Sequence, residues 1–358
     1  MSYLYALKMG ILVFPILALI FTFPFILNQY HKYGSISRLR VLIIYSFILY
    51  MICIYFLVIL PLPNRDDVTH SAGINLCPLA FIGDFLKDSS FDIMNPSSYL
   101  KVLTNSSFYT VLFNVIMTIP FGIYLRYYFK CSFRKTLFLS FILSLFFELT
   151  QLTGLYFIYP YSYRLFDVDD LITNTLGGII GYFLAGVFLN RLPSREEIDE
   201  KALREGMEVS GFRRLTLFFL DLFLFLIWFM LFTFFYKSVI IPFIIYYIII
   251  PLMFDGRSIG GTIINVKLQF ESYKVINLVL RSIFLVIYYY VIPILFMSLI
   301  IFLNDFLNLS SLFILIIDGL GILIILGFYL KNILTIIRRR WIFYDDLFKV
   351  SYVSTIKG

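Results

Sequence analysis

The chain has 358 residues, of which 61% are hydrophobic and only 14% charged, and its mean hydropathy is +0.91. Soluble domains carry a charged share nearer a quarter, so the composition excludes a soluble globular protein and points to an all-α, polytopic transmembrane helical bundle. The net charge of +7 falls in short Lys/Arg clusters between apolar runs, which is the pattern of membrane topology and not of a nucleic-acid-binding surface.

Apolar runs predict spanning helices at about Met9–Leu27, Leu39–Leu60, Phe108–Phe129, Thr136–Tyr156 and Val168–Leu189, then at Leu215–Tyr236, Val239–Phe254, Ile276–Leu303 and Leu312–Leu330. This is a bundle of about nine helices, five plus four. The first run is too long for a signal-peptide core and no small-residue cleavage site follows it, so it is expected to be retained. Between the second and third lies an acidic segment, Asn64 to Ser107, with Asp66, Asp67, Asp84, Asp88 and Asp92. Its apolar middle, Ile74 to Ile82, suits a membrane surface. Residues 191–214 are the most soluble stretch, and Pro193-Ser194-Arg195-Glu196-Glu197 opens a capped, charged helix. The expected division is therefore a transmembrane domain at 1–190, a linker at 191–210, and a second transmembrane domain with its tail at 211–358. Asp255 to Leu268, with alternating β-branched residues, predicts a small surface hairpin.

Placing the loops after helices one, three, five and seven in the cytoplasm, together with the carboxy-terminal tail, gathers nearly every Lys/Arg cluster inside. The amino terminus, the acidic segment and the turn at 156–167 then face outward. Cys53, Cys77 and Cys131 stand in separate environments, and His31 and His70 lack ligand spacing, so no disulfide, metal or cofactor is expected.

Polar groups meet hydrocarbon most densely between Phe147 and Gly186. Glu148 and Gln151 lie three apart and share a helix face. With the outer ends set by topology, Asn114, Glu148 and Asn174 each fall about six or seven residues in, on the order of 10 Å deep. A carboxylate or amide at that depth is costly without a partner. Arg164 is the one base in the outward turn able to neutralise Glu148, while Asp167, Asp169 and Asp170 suit a helix N-terminus. Gly177, Gly181 and Ala185 form a small-residue stripe for close helix packing. Structural bracing and a ligand or proton site both fit these residues. In the second half Asp221 and Arg281, with Arg214 nearby, read either as a buried ion pair or as an ion-coupling site.

The set Asn75-x-x-Pro78, Asn114 with Pro120-Phe121-Gly122, Glu148-x-x-Gln151, and Arg164-x-x-Asp167-x-Asp169-Asp170-Leu171-x-x-Asn174-x-x-Gly177-Gly178-x-x-Gly181 resembles the motifs of VanZ-like membrane proteins over about residues 40–190. That resemblance implies a bacterial plasma-membrane protein and an envelope role in low-level resistance to glycopeptides, notably teicoplanin. Its expected partner is a membrane lipid or lipid-linked envelope ligand, with the glycopeptide involved only indirectly. Asn114, Glu148, Gln151, Arg164, Asp167, Asp170 and Asn174 would form its site. Gly211-Phe212-Arg213-Arg214-Leu215 with Asp221, Gly260-Gly261-Thr262, Arg281 and Tyr344-Asp345-Asp346-Leu347 resemble the RDD family over about 208–355, which implies a link to transport. The leading expectation is a non-enzymatic envelope protein, followed by an ion- or proton-coupled transporter. An enzyme acting on lipid-linked substrates would need two carboxylates converging on one bond, and no activated nucleophile is present.

Overall fold

The computed structural model describes residues 3–88, 106–238, 240–307 and 310–356; Asp92 lies outside the described residues. The long apolar runs fold as helices whose outward faces carry residues such as Leu19 and Phe234 at 77% and 81% exposure, the reverse of a water-soluble surface. Eight of the described helices are long and apolar enough to cross a membrane. The protein is a multi-pass membrane protein. Two compact units form, one from residues 1–22 and 38–198, the other from 23–37 and 199–358.

The first unit holds most of helix α1 (Tyr3–Tyr33), α2 (Arg38–Ile59), the short α3 (Ala80–Asp88), α4 (Ser106–Tyr127), α5 (Phe133–Leu152) and α6 (Val168–Phe188). Ile54, Met117, Phe121, Leu143 and Phe147 make its core. Helices α4 and α6 pack backbone against backbone: a Cβ at Gly122 would overlap the Gly178 carbonyl, and one at Gly181 would overlap the Ile119 carbonyl. The expected stripe at Gly177 and Gly181 is therefore a contact face. Helix α5 ends at Leu152 and not at Tyr156, because residues 154 to 157 all take positive φ, from 56 to 68°. Four left-handed residues in succession leave the helix. A two-residue parallel pair joins β1 (Ile74–Asn75) to β2 (Phe166–Asp167), with Asn75 opposite Asp167.

Helix α7 (Arg195–Gly206) begins as its sequence predicts. Ser194 Oγ accepts from Glu197 N at 3.2 Å, and Glu197 Oε2 accepts from Ser194 N at 3.4 Å, a reciprocal capping box.

The second unit contains α8 (Gly211–Tyr236), α9 (Ile240–Met253), α10 (Ile259–Ile263), α11 (Lys274–Phe306), α12 (Ser311–Ile337) and α13 (Phe343–Leu347). The ninth expected spanning run is thus a short helix. At 1.5 Å per residue α9 covers roughly 21 Å, against a hydrocarbon core of about 30 Å. Its course is continued by a turn through Asp255 and Gly256 and by α10. Both α9 and α11 widen into a π-helical turn, at Ile245–Ile249 and Ile287–Val291, ahead of Pro251 and Pro293. Each proline removes a backbone donor, and the same Ile-Tyr-Tyr-x-x-Ile-Pro pattern precedes both breaks.

The expected hairpin at 255–268 does not form. Ser258 Oγ accepts from Gly261 N at 2.9 Å and caps α10, so only β3 (Val266–Phe270) is extended. It pairs antiparallel with the distant β4 (Val350–Ser354), Val266 opposite Ser354. Outside the helices, Lys274 and Lys267 hold the exposed Asp255 carboxyl down at about 2 through direct hydrogen bonds.

Candidate functional site

In the first unit a cavity of about 340 Å³ opens between α1, α2, α4, α5 and α6. Asn114, Glu148, Gln151, Arg164, Asp170 and Asn174 all line it, opposite Tyr5, Ala6, Phe113 and Met117. Glu148, Gln151 and Asn174 are 2%, 5% and 4% exposed. Six of the seven residues singled out in the sequence therefore meet around one space. The seventh, Asp167, lies outside the lining. Its Oδ1 accepts from Asp169 N at 2.9 Å, which caps α6, and from Asn75 Nδ2 at 3.1 Å.

Two expectations are corrected here. Arg164 acts on Glu148 only through space and makes no direct contact with it; Nη1 and Nη2 donate to the carbonyls of Val58 and Leu60, at 2.7 and 3.0 Å. A guanidinium fork suits carbonyls at the end of α2, where no intrahelical N–H follows to meet them. Glu148 is held instead by the backbone N–H of Asp167, donating to Oε2 at 2.9 Å. The depths also shift: Glu148 stands four residues before the end of α5, and Asn114 eight residues past the start of α4, because both helix boundaries moved.

The amide orientations follow from their partners. Gln151 Nε2 donates to Val58 O at 3.0 Å, a group that only accepts. Asn114 Nδ2 donates to Asp170 Oδ1 at 2.7 Å. Ser144 Oγ gives its proton to the Asp170 carbonyl at 3.1 Å, so it can only accept from Asn174 Nδ2, at 3.0 Å. The Asn174 Oδ1 is left buried without a hydrogen-bond partner.

Asp169 was placed in a motif but not among the site residues, and it has a distinct task. Its Oδ1 and Oδ2 accept from Leu79 N at 2.5 Å and Phe81 N at 3.0 Å, seating the N-terminus of α3. The run of three acidic positions thus divides its work: Asp167 and Asp169 fix backbone, and Asp170 faces the cavity. Beside them, burial pushes the Tyr163 hydroxyl up to about 12. Among the described residues no group of three His, Cys, Asp or Glu side chains is arranged to hold a metal ion.

In the second unit Asp221 and Arg281 line a small cavity of about 70 Å³, yet they do not pair with one another. Asp221 accepts from Tyr246 OH at 3.0 Å, Ser258 Oγ at 2.6 Å and Gly260 N at 3.0 Å. It clamps the break between α9 and α10. Arg281 pairs with Asp345, Nε to Oδ1 at 2.8 Å, and donates to Tyr352 OH at 3.0 Å. Arg214 Nη2 lies 3.6 Å from Asp345 Oδ2. The fully buried Asp345 is therefore the anion between the two arginines. The neighbouring Arg213, also fully buried, donates to the carbonyls of Gly206, Ile264 and Asn265 and to Ser354 Oγ.

Residues 47–189 match the VanZ/LLP1 family model. The VanZ-like segment runs from within α2 to just past α6 and includes all seven of the expected site residues. No curated protein and no solved structure matches the chain.

Proposed function

We propose that this chain is a non-enzymatic protein of the bacterial plasma membrane that lowers susceptibility to lipid-bearing glycopeptides such as teicoplanin, by binding a lipid-linked envelope ligand or altering its display. The observation that carries the reading is the gathering of Asn114, Glu148, Gln151, Arg164, Asp170 and Asn174 around one cavity between apolar helices. The VanZ/LLP1 match over 47–189 directs it toward the envelope and the antibiotic. An amino terminus outside and a carboxy-terminal tail in the cytoplasm follow from the basic loops, and set the cavity in the outer part of the membrane. The test is a dose response to teicoplanin beside vancomycin in a susceptible Gram-positive host, comparing the chain, Glu148→Gln and empty vector at matched membrane levels. A teicoplanin-selective shift removed by Glu148→Gln is expected; no shift with the well-expressed chain overturns the reading.

A second reading, ion- or proton-coupled transport through an RDD-like second unit, is favoured by one feature: Asp221 holds together a broken crossing at α9 and α10. Interrupted helices are where membrane transporters place their ion sites. Proton-dependent flux in vesicles containing the chain, lost with Asp221→Asn, is the expected signature; flux unchanged by that substitution overturns it.

A further inference from the structure

The first-unit cavity is unbalanced in its hydrogen-bonding groups. Among the described residues Glu148 uses only Oε2 and Asp170 only Oδ1, which leaves the second oxygen of each carboxyl group to the space they line. Gln151 has its nitrogen fixed on the Val58 carbonyl, so its oxygen is turned away from that bond. Asn174, 4% exposed, has its nitrogen fixed on Ser144 and its Oδ1 buried without a partner. Buried acceptors without donors are rare and costly. Arg164, the one cation among the described residues of the lining, has two nitrogens engaged by the carbonyls of Val58 and Leu60. With two carboxyl groups against one guanidinium, the lining offers several acceptor oxygens.

We propose that this cavity takes a primary ammonium group, carried by a lipid headgroup or a small soluble amine, which donates to the second oxygens of Glu148 and Asp170. An ammonium has three donors and no acceptor, which suits a lining whose open positions are acceptors. A volume of about 340 Å³ is at the low end for small-ligand sites, so it fits a headgroup and not an intact glycopeptide. An anionic phosphate or carboxylate would instead add acceptor oxygens to a lining that already has a surplus of them. The apolar wall of Tyr5, Ala6, Phe113 and Met117 suits the methylene stem of an amine. The proposal rests on the reading of this cavity as a ligand site, and it names the chemistry of the ligand.

The test measures binding to the purified full chain by native mass spectrometry and thermal shift. The probes are short-chain phosphatidylethanolamine, its mono-, di- and trimethylated forms, phosphatidylglycerol, and soluble glycerophosphoethanolamine. Affinity is expected to fall stepwise with methylation, by tenfold or more at the trimethylated form, because each methyl removes a donor while the charge stays. Glu148→Gln and Asp170→Asn, each verified as folded by its own melting temperature, are expected to weaken phosphatidylethanolamine by tenfold or more. Competition by glycerophosphoethanolamine assigns the amine to a soluble source as well; binding of the lipid alone assigns it to the membrane. Equal binding of all the methylated forms, or a preference for phosphatidylglycerol, overturns the amine while leaving a ligand site. Binding of none of the probes overturns both. The methylation series needs no variant, so misfolding cannot mask the answer.

Discussion

Asp345 shows how much one buried carboxylate can hold. It answers Arg281 directly and lies within ion-pair distance of Arg214, while Tyr352 OH donates to its other oxygen at 2.8 Å. Removing its charge strands two guanidinium groups that are both buried. Breaking such a pair from one side costs about 3–5 kcal/mol. Asp345→Asn is therefore expected to lower the melting temperature of the detergent-purified protein sharply. The double variant Asp345→Asn with Arg281→Met should recover part of the loss; equal melting temperatures for Asp345→Asn and the unaltered chain would contradict this assignment. At this scale the sequence was informative about residue type and poor about partners. Glu148, Asp170 and Asn174 announced themselves as polar groups in apolar helices, but nothing in their spacing revealed that Arg164 would turn to the end of α2. Asp345 sat inside a recognised Tyr-Asp-Asp-Leu pattern, yet its place 64 positions beyond Arg281 is a product of the fold.

At the scale of elements, helices were legible and their interruptions were not. Hydropathy averages over a turn or two, so it finds α4 and α6 but passes smoothly over the left-handed residues after Leu152 and over the break between α9 and α10. The hairpin failed for a related reason: alternation identifies an extended strand but not the strand that pairs with it, and β3 pairs with β4. The small-residue stripe fared better, because Gly181 against the Ile119 carbonyl is a demand that spacing alone expresses. Gly181→Leu is expected to destabilise the purified protein by at least the roughly 1–3 kcal/mol of an overpacked core. Gly319→Leu is the control, since a Cβ there meets nothing within 4 Å, and it should leave the melting temperature nearly unchanged. Similar losses for both would show that the α4–α6 contact does not set the requirement.

The whole molecule is organised less simply than its composition implies. A soluble stretch at 191–210 marks the obvious place to divide the chain, but the second compact unit also takes in residues 23–37. Tyr30 is buried with Leu217, Leu220 and Ile264. The His31 carbonyl accepts from Asn265 Nδ2 at 2.6 Å, and Ser35 Oγ donates to Ala202 O at 2.7 Å. A polypeptide of residues 194–358 expressed alone forgoes these contacts. Burial of one aromatic side chain and two hydrogen bonds together are worth about 3–5 kcal/mol. It is expected to accumulate poorly and resist proteolysis less than the same piece co-expressed with residues 1–193. Equal protease resistance in the two cases would show that residues 23–37 add nothing to the unit's stability.

That interleaving also sets a schedule for biosynthesis. Residues 23–37 leave the ribosome first, and roughly 160 residues of the other unit, 38–198, are translated before any of their later partners exist. At 5–20 residues per second this is a delay of about 10–30 seconds. The wait lengthens until residues 350–354 supply β4 and the Ser354 hydroxyl that meets Arg213. During that interval the Tyr30 end of α1 has no unit to join, and whatever machinery inserts the chain must shelter it until the ribosome catches up.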